Sequence, residues 1–236
     1  MIMEDNIETG NKENQSVKCE ELIGLKERYE ILIRARNFHY ENFNKWMAYF
    51  YVIIASIILG FSYIISKNEK YSTDYEDELI LLGIAGFTVS LFWYWANKGY
   101  YYWNINFITL VNHYEKNLLK FKEHERIYFV FANKSVQNNY FSPLSGANIS
   151  TSKISIFLSY LFTLAFGSYT MTRLLKKCVC NMGVLIGISI PLTIVIILMF
   201  SIISKLCFSS HHRHFPDLDI DSSRDSDYDA NNKLTT

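Results

Sequence analysis

The sequence predicts an all-α fold: a polytopic membrane bundle with four transmembrane helices and a cytoplasmic antiparallel helical stalk. Three observations carry this. Four stretches, 46–66, 79–96, 154–172 and 182–204, contain no charged residue, and ~20 apolar residues suffice to cross the hydrocarbon core as a helix. The segments bordering the first two stretches carry apolar residues at helical spacing. The 236-residue chain is 50% hydrophobic, yet its 23 basic and 23 acidic side chains are gathered outside those four stretches.

Residues 1–18 are polar and are expected to be disordered. Residues 19–45 read as an amphipathic helix: Leu22, Leu25, Tyr29 and Leu32 recur at threes and fours, Ile33 widens the stripe, and Phe43 and Trp46 continue it. This helix is expected to enter the first span directly, with Arg36 and His39 interrupting the stripe near the membrane surface. Because the first 45 residues are polar and charged, the span over 46–66 is expected to act as an uncleaved signal anchor.

The second span, 79–96, is followed by "KGYYYWNINF" (98–107). Trp93, Tyr94, Trp95, Tyr100, Tyr101, Tyr102 and Trp103 form an aromatic zone of the kind that sits at a membrane–water boundary. Beyond it Trp103, Phe107, Leu110, Val111, Tyr114, Leu118 and Phe121 fall on one helical face. A helix continuous over 79–121 would be about 64 Å long at ~1.5 Å per residue, of which only about 30 Å fits in hydrocarbon. The remainder must project from the membrane beside the 19–45 helix, and the two apolar stripes then bury one another. Trp95, Tyr100, Tyr101, Tyr102, Trp103 and Phe107 mark the joint between spans and stalk. Leu22, Leu25, Tyr29, Leu32, Leu110, Val111, Tyr114 and Leu118 are the expected stalk contacts.

The rest of the 97–153 segment turns Asn- and Ser-rich and contains Pro143 and Gly146, which reads as loop. Ser150–Ser152 offer an N-cap for the third span, 154–172. The fourth, 182–204, contains Gly183 and Gly187 as a GxxxG helix-packing pattern and a kinking Pro191. The tail, 205–236, is acidic and expected to be disordered.

Lys and Arg number seven before the first span, two in the next loop, seven in the third segment, three in the fourth and four after the last span. The positive-inside rule then places both termini and the 97–153 segment in the cytoplasm. Arg173, Lys176 and Lys177 run against that assignment.

The spans contain no Asp, Glu, Lys, Arg or His, which argues against a pump, an ion-coupled transporter or an intramembrane protease. Ser56, Ser62, Thr88, Ser90, Ser159, Thr163, Ser168 and Ser189 are left to bond between helices or to line a pore formed by several copies. No phosphate-binding glycine loop, nucleophile elbow or kinase signature occurs, so no enzymatic activity is expected. No cofactor and no metal is expected: the four cysteines lack zinc spacing, His211, His212 and His214 read as a basic juxtamembrane stretch, and the Asp217–Asp225 series lacks the turn glycine and closing glutamate of a calcium loop.

"HYENFNKWM" (39–47), "KGYYYWNINFITLVNHYEKNL" (98–118) and "SPLSGANISTSK" (142–153), set in this architecture, resemble small multi-pass bacterial membrane proteins encoded beside anti-phage modules, of the SLATT-like and retron-associated kind. The resemblance implies an inner-membrane effector that breaches the membrane on a cytoplasmic signal. The implied partners are the bilayer, further copies of the chain and a cytoplasmic protein from the same operon, without direct nucleic-acid contact. A non-enzymatic scaffold or sensor recruiting a cytoplasmic partner through its stalk is the alternative.

Overall fold

The computed structural model describes residues 2–71, 75–127, 150–176 and 181–208, with side chains in the first helix described at residue 20 and from 22 to 67. The His211–His214 cluster, Cys178, Cys180, the acidic tail and most of the Asn-rich loop lie outside the described residues. Four long helices make up the fold: α1 (Ile2–Tyr71), α2 (Glu76–His113), α3 (Thr151–Leu175) and α4 (Met182–Phe208). No strand occurs among the described residues, and all four helices are long and apolar enough to cross a membrane. The chain divides into a first unit, Met1–Ser201, and a second, Ile202–Thr236, whose described part is the last turns of α4.

Helix α1 is helical from Ile2 onward, so a helix covers residues 2–18 where disorder was expected. Those residues include no proline and a single glycine, and a helix already nucleated downstream extends through them at small cost per residue. Its inward stripe runs Leu25, Tyr29, Leu32, Arg36, His39, Phe43, Met47, Ile54, Ile57 and Phe61. Trp46 falls off this stripe and is exposed, and Met47 takes its place. Measured from Phe43, Met47 lies about 40° round the helix and Trp46 about 60° the other way, so Met47 is the nearer to the axis of the stripe at 3.6 residues per turn. Arg36 and His39 lie on the stripe and do not interrupt it.

The inward seam of α2 is equally regular: Leu79, Gly83, Gly86, Ser90, Trp93, Asn97, Tyr100 and Val111 are all buried. It faces α1 and α3 at once. Against α3 the pairing is antiparallel, from Asn97, whose Nδ2 donates to the Ser155 carbonyl and to Ser159 Oγ, down to Glu76, which pairs with Arg173 at 2.7 Å. The small residues of the seam set the helix separation. A Cβ at Gly86 would lie 2.5 Å from the Phe166 ring, and one at Gly167 would lie 2.5 Å from Thr193 of α4. Such close approach replaces the hydrophobic drive that lipid cannot supply between helices. The core consists of Met47, Ile54, Ile57, Trp93 and Phe166 with Phe43, Phe50, Phe61, Phe87 and Phe162 around it. Trp93 is therefore the centre of the core and no part of a surface belt.

Helix α3 begins where the sequence predicts: the Ser150 hydroxyl accepts from the Lys153 N–H. The Asn181 side chain does the same for Gly183 and Val184 at the start of α4. Gly183 and Gly187, in contrast, face away from the bundle: a Cβ at Gly187 would meet nothing within 4 Å. The buried side of α4 is Leu185, Ser189, Thr193 and Ile197.

Candidate functional site

Outside the spans, α1 and α2 continue side by side, and their contacts build the stalk from the membrane outward. At its base Tyr100 is buried and stacked on Phe43, ring centroids 3.5 Å apart. His39 also stacks on Tyr100, at 5.0 Å, and lies 5.4 Å from Phe107. About one turn farther along α1 and two along α2, the Trp93 indole N–H points to Met47 Sδ at 3.2 Å, with Phe50, Tyr51 and Phe162 packed around the ring. A single aromatic column thus passes from stalk into core without a gap.

The expected joint residues divide within this geometry. Tyr100 and Phe107 take the inward positions, and Trp95 and Tyr101 are half-buried. Tyr102 and Trp103 point outward and pack edge-to-face on each other at 5.7 Å. Trp103 does not begin the stalk stripe, as the spacing suggested; Tyr100 does, because the seam is already in phase from Trp93 and Asn97. Beside the joint, a cavity of about 330 Å³ is lined by Phe43, Met47, Tyr51 and Tyr100 and by Ser152 and Ser155 at the start of α3.

Farther out the stalk departs from a straight helix. Val111 is fully buried and Leu110 and Tyr114 are half-buried. At Tyr114–Leu118 the chain widens into a π-helical turn, with the Leu119 N–H donating to the Tyr114 carbonyl. The expected helix to Phe121 therefore ends at Leu118, and Lys120 reverses the chain in the left-handed region, φ 54°. The wider turn swings Leu118 outward, and Leu22 at the far end of the α1 stripe is exposed too, so neither packs as the spacing suggested. Glu115 occupies the inward position and is fully buried: the Tyr29 hydroxyl donates to its Oε1 at 2.6 Å and the Ile127 N–H to the same oxygen at 3.3 Å. Among the described residues its Oε2 has no hydrogen-bond partner. Phe121 meets Tyr29 edge-to-face at 6.1 Å and closes the tip.

Sequence reasoning missed His39 and Glu115 as contact residues because a charged or titratable side chain reads as a break in an apolar stripe. Burial lowers the His39 pKa below its usual 6.5, and a backbone hydrogen bond with Tyr100 opposes that in part. It also missed Asn97, the polar tie between α2 and α3. The span hydroxyls mostly bond within their own helix: Ser56, Ser62, Thr88, Ser90, Thr163 and Ser189 each donate four residues back. Ser159 also does so and accepts from Asn97 across the helix pair.

Arg173, which runs against the predicted orientation, pairs with Glu76 and lies over the Tyr169 ring at 5.2 Å. No group of His, Cys, Asp and Glu suited to a metal occurs among the described residues.

Residues 26–175, which contain the stalk from Lys26 onward, the joint and the first three spans, match the model of the Octameric membrane protein family (8xMP). The chain belongs to this family. No curated protein and no solved structure matches it. The 8xMP match ends at the last residue of α3, so α4 lies beyond the shared unit. With four apolar helices and this membership, the chain is a multi-pass membrane protein.

Proposed function

We propose that this 8xMP chain assembles as an octamer in a bacterial inner membrane and perturbs the membrane when a cytoplasmic signal reaches its stalk, in an anti-phage, abortive-infection role. The octamer is taken from the family's description, and the defence role from the resemblance to SLATT-like effectors. The observation that carries the signalling part is the unbroken passage of α1 and α2 from stalk to span through the Phe43–Tyr100–His39 stack. Packed helices shift as rigid bodies with small sliding at their contacts. A displacement at the Tyr29–Glu115 tip is thereby carried along both helices to Trp93.

The proposal is non-enzymatic and requires no cofactor. Its sidedness rests on the basic residues: both termini and the stalk face the cytoplasm. Single cysteines at Asp77 and Lys122, both exposed, test this with an impermeant thiol reagent. Labelling at 77 alone in intact cells is expected, and labelling at 122 alone overturns the orientation. For the activity, the chain is expressed with and without its genetic neighbours while membrane potential and uptake of an impermeant dye are followed. Collapse of the potential on activation is expected. Strong expression with an intact potential under both conditions refutes the membrane-perturbing reading.

A further inference from the structure

The outer face of α1 repeats every seven residues. Ile31, Phe38, Lys45, Val52 and Leu59 form one string, and Tyr49, Ser56 and Tyr63 form a second, offset from it by four. Together they make a 3–4 seam pointing away from the Leu25–Phe61 stripe that packs on α2. Ile31, Phe38, Tyr49, Val52, Leu59 and Tyr63 are among the most exposed apolar side chains of the helix, from 62% at Tyr49 to 69% at Leu59. Lipid accounts for exposure within the span. It does not account for Ile31 and Phe38, each 63% exposed: they precede the span at Trp46 by fifteen and eight residues, or about 22 and 12 Å of helix. The first string runs through both environments without a change of phase; the second starts at Tyr49, and its positions in the stalk are Ala35 and Asn42.

We infer that this seam, from Ile31 to Tyr63, is the surface through which copies of the chain meet, α1 against α1, parallel and in register. Every copy inserts into the membrane in the same sense, so α1 helices of neighbours are parallel. A sustained seven-residue repeat is the pattern parallel helices use to interlock. Ser56, at the middle of the span, is small enough to let two backbones approach. Lys45 stands where the seam enters the membrane, and its long side chain can carry the ammonium to the headgroups. Each of the six exposed side chains offers on the order of 100 Å², so a chain contributes roughly 600 Å², near the ~800 Å² per partner of a standard interface. The 8xMP match includes this seam and excludes α4. A shared mode of assembly must therefore use α1–α3, and α4 covers part of α2 and α3 through Thr193 against Gly167 and Phe200 against Phe87.

This inference rests on the octameric reading, and one experiment separates the two. Cysteines 19, 178, 180 and 207 are replaced by serine in the full chain, and single cysteines are placed at Phe38 and Leu59 on the seam and at Asn37 and Ile58, about 100° around the helix. All four positions are exposed, so folding is undisturbed. Native membranes are oxidised, and the cysteine-free parent is treated in parallel with an amine-reactive cross-linker. The expected result is a ladder reaching the octamer in the parent, with disulfide dimers at Phe38→Cys and Leu59→Cys at least ~3-fold above Asn37→Cys and Ile58→Cys, because only in-register seam positions approach disulfide distance. A ladder with equal yields on and off the seam overturns the interface while leaving the octamer standing. Absence of any ladder overturns the octameric reading, and the interface with it.

Discussion

At the scale of single residues, two positions show how polar groups are accommodated in an apolar stripe. Glu115 is buried and keeps the Tyr29 hydroxyl and the Ile127 N–H on one oxygen. Removing the phenol leaves that carboxyl short of its strongest donor, so Tyr29→Phe is expected to weaken the stalk by ~1 kcal/mol or somewhat more. Faster amide exchange over residues 22–36 without change in the spans is the measurement that checks it.

His39 lies between Tyr100 and Phe107, and burial lowers its pKa below 6.5. The unfolded stalk then binds more protons than the folded one in the window below 6.5. Stalk stability is full above that pH and falls as pH drops toward the native value. Protease resistance of the stalk should decline on acidification from pH 7 to 5, and His39→Phe should remove much of that dependence.

At the scale of the elements, the glycines separate by environment, which their spacing does not reveal. Gly86→Ala places a methyl group 2.5 Å from the Phe166 ring and is expected to cost ~1–3 kcal/mol by overpacking. Gly187→Ala, with nothing within 4 Å, should leave the thermal unfolding of the detergent-solubilised protein unchanged. The two stalk positions in adjacent register separate in the same way. Val111→Asp, which places a charge at a fully buried position, should abolish stalk protection from protease, whereas Leu118→Asp at an exposed position should be tolerated. Equal effects of the two would show that the π turn does not rotate Leu118 away.

The existence of the stalk helices was legible in the sequence because a 3.6-residue period over several turns is a strong signal. Their phase was not. Whether Trp46 or Met47, Trp103 or Tyr100, faces the partner depends on a rotation of about 100° in the first case and about 60° in the second, and an aromatic run with rings on every side leaves that rotation open. The end of α2 was illegible for a related reason. No proline or glycine marks it, and a π turn followed by a left-handed lysine is set by what Glu115 and Phe121 reach on α1.

For the molecule as a whole, the sequence by itself determined the class and the ground plan. Four uncharged apolar stretches must cross a bilayer as helices, since an unsatisfied backbone cannot remain in hydrocarbon. Two amphipathic extensions on one side must then cover each other. Those are consequences of local composition and period, and neighbours in space do not alter them. Only the tertiary structure decided which faces meet: that Trp93 is the core and not the belt, that Gly83, Gly86 and Gly167 draw the helices together while Gly183 and Gly187 face outward, and that a glutamate sits inside the stalk. Helix-to-helix contact in a membrane is selected by shape and hydrogen bonding between particular side chains. That selection compares all faces of all four helices at once, which no single stretch of chain encodes.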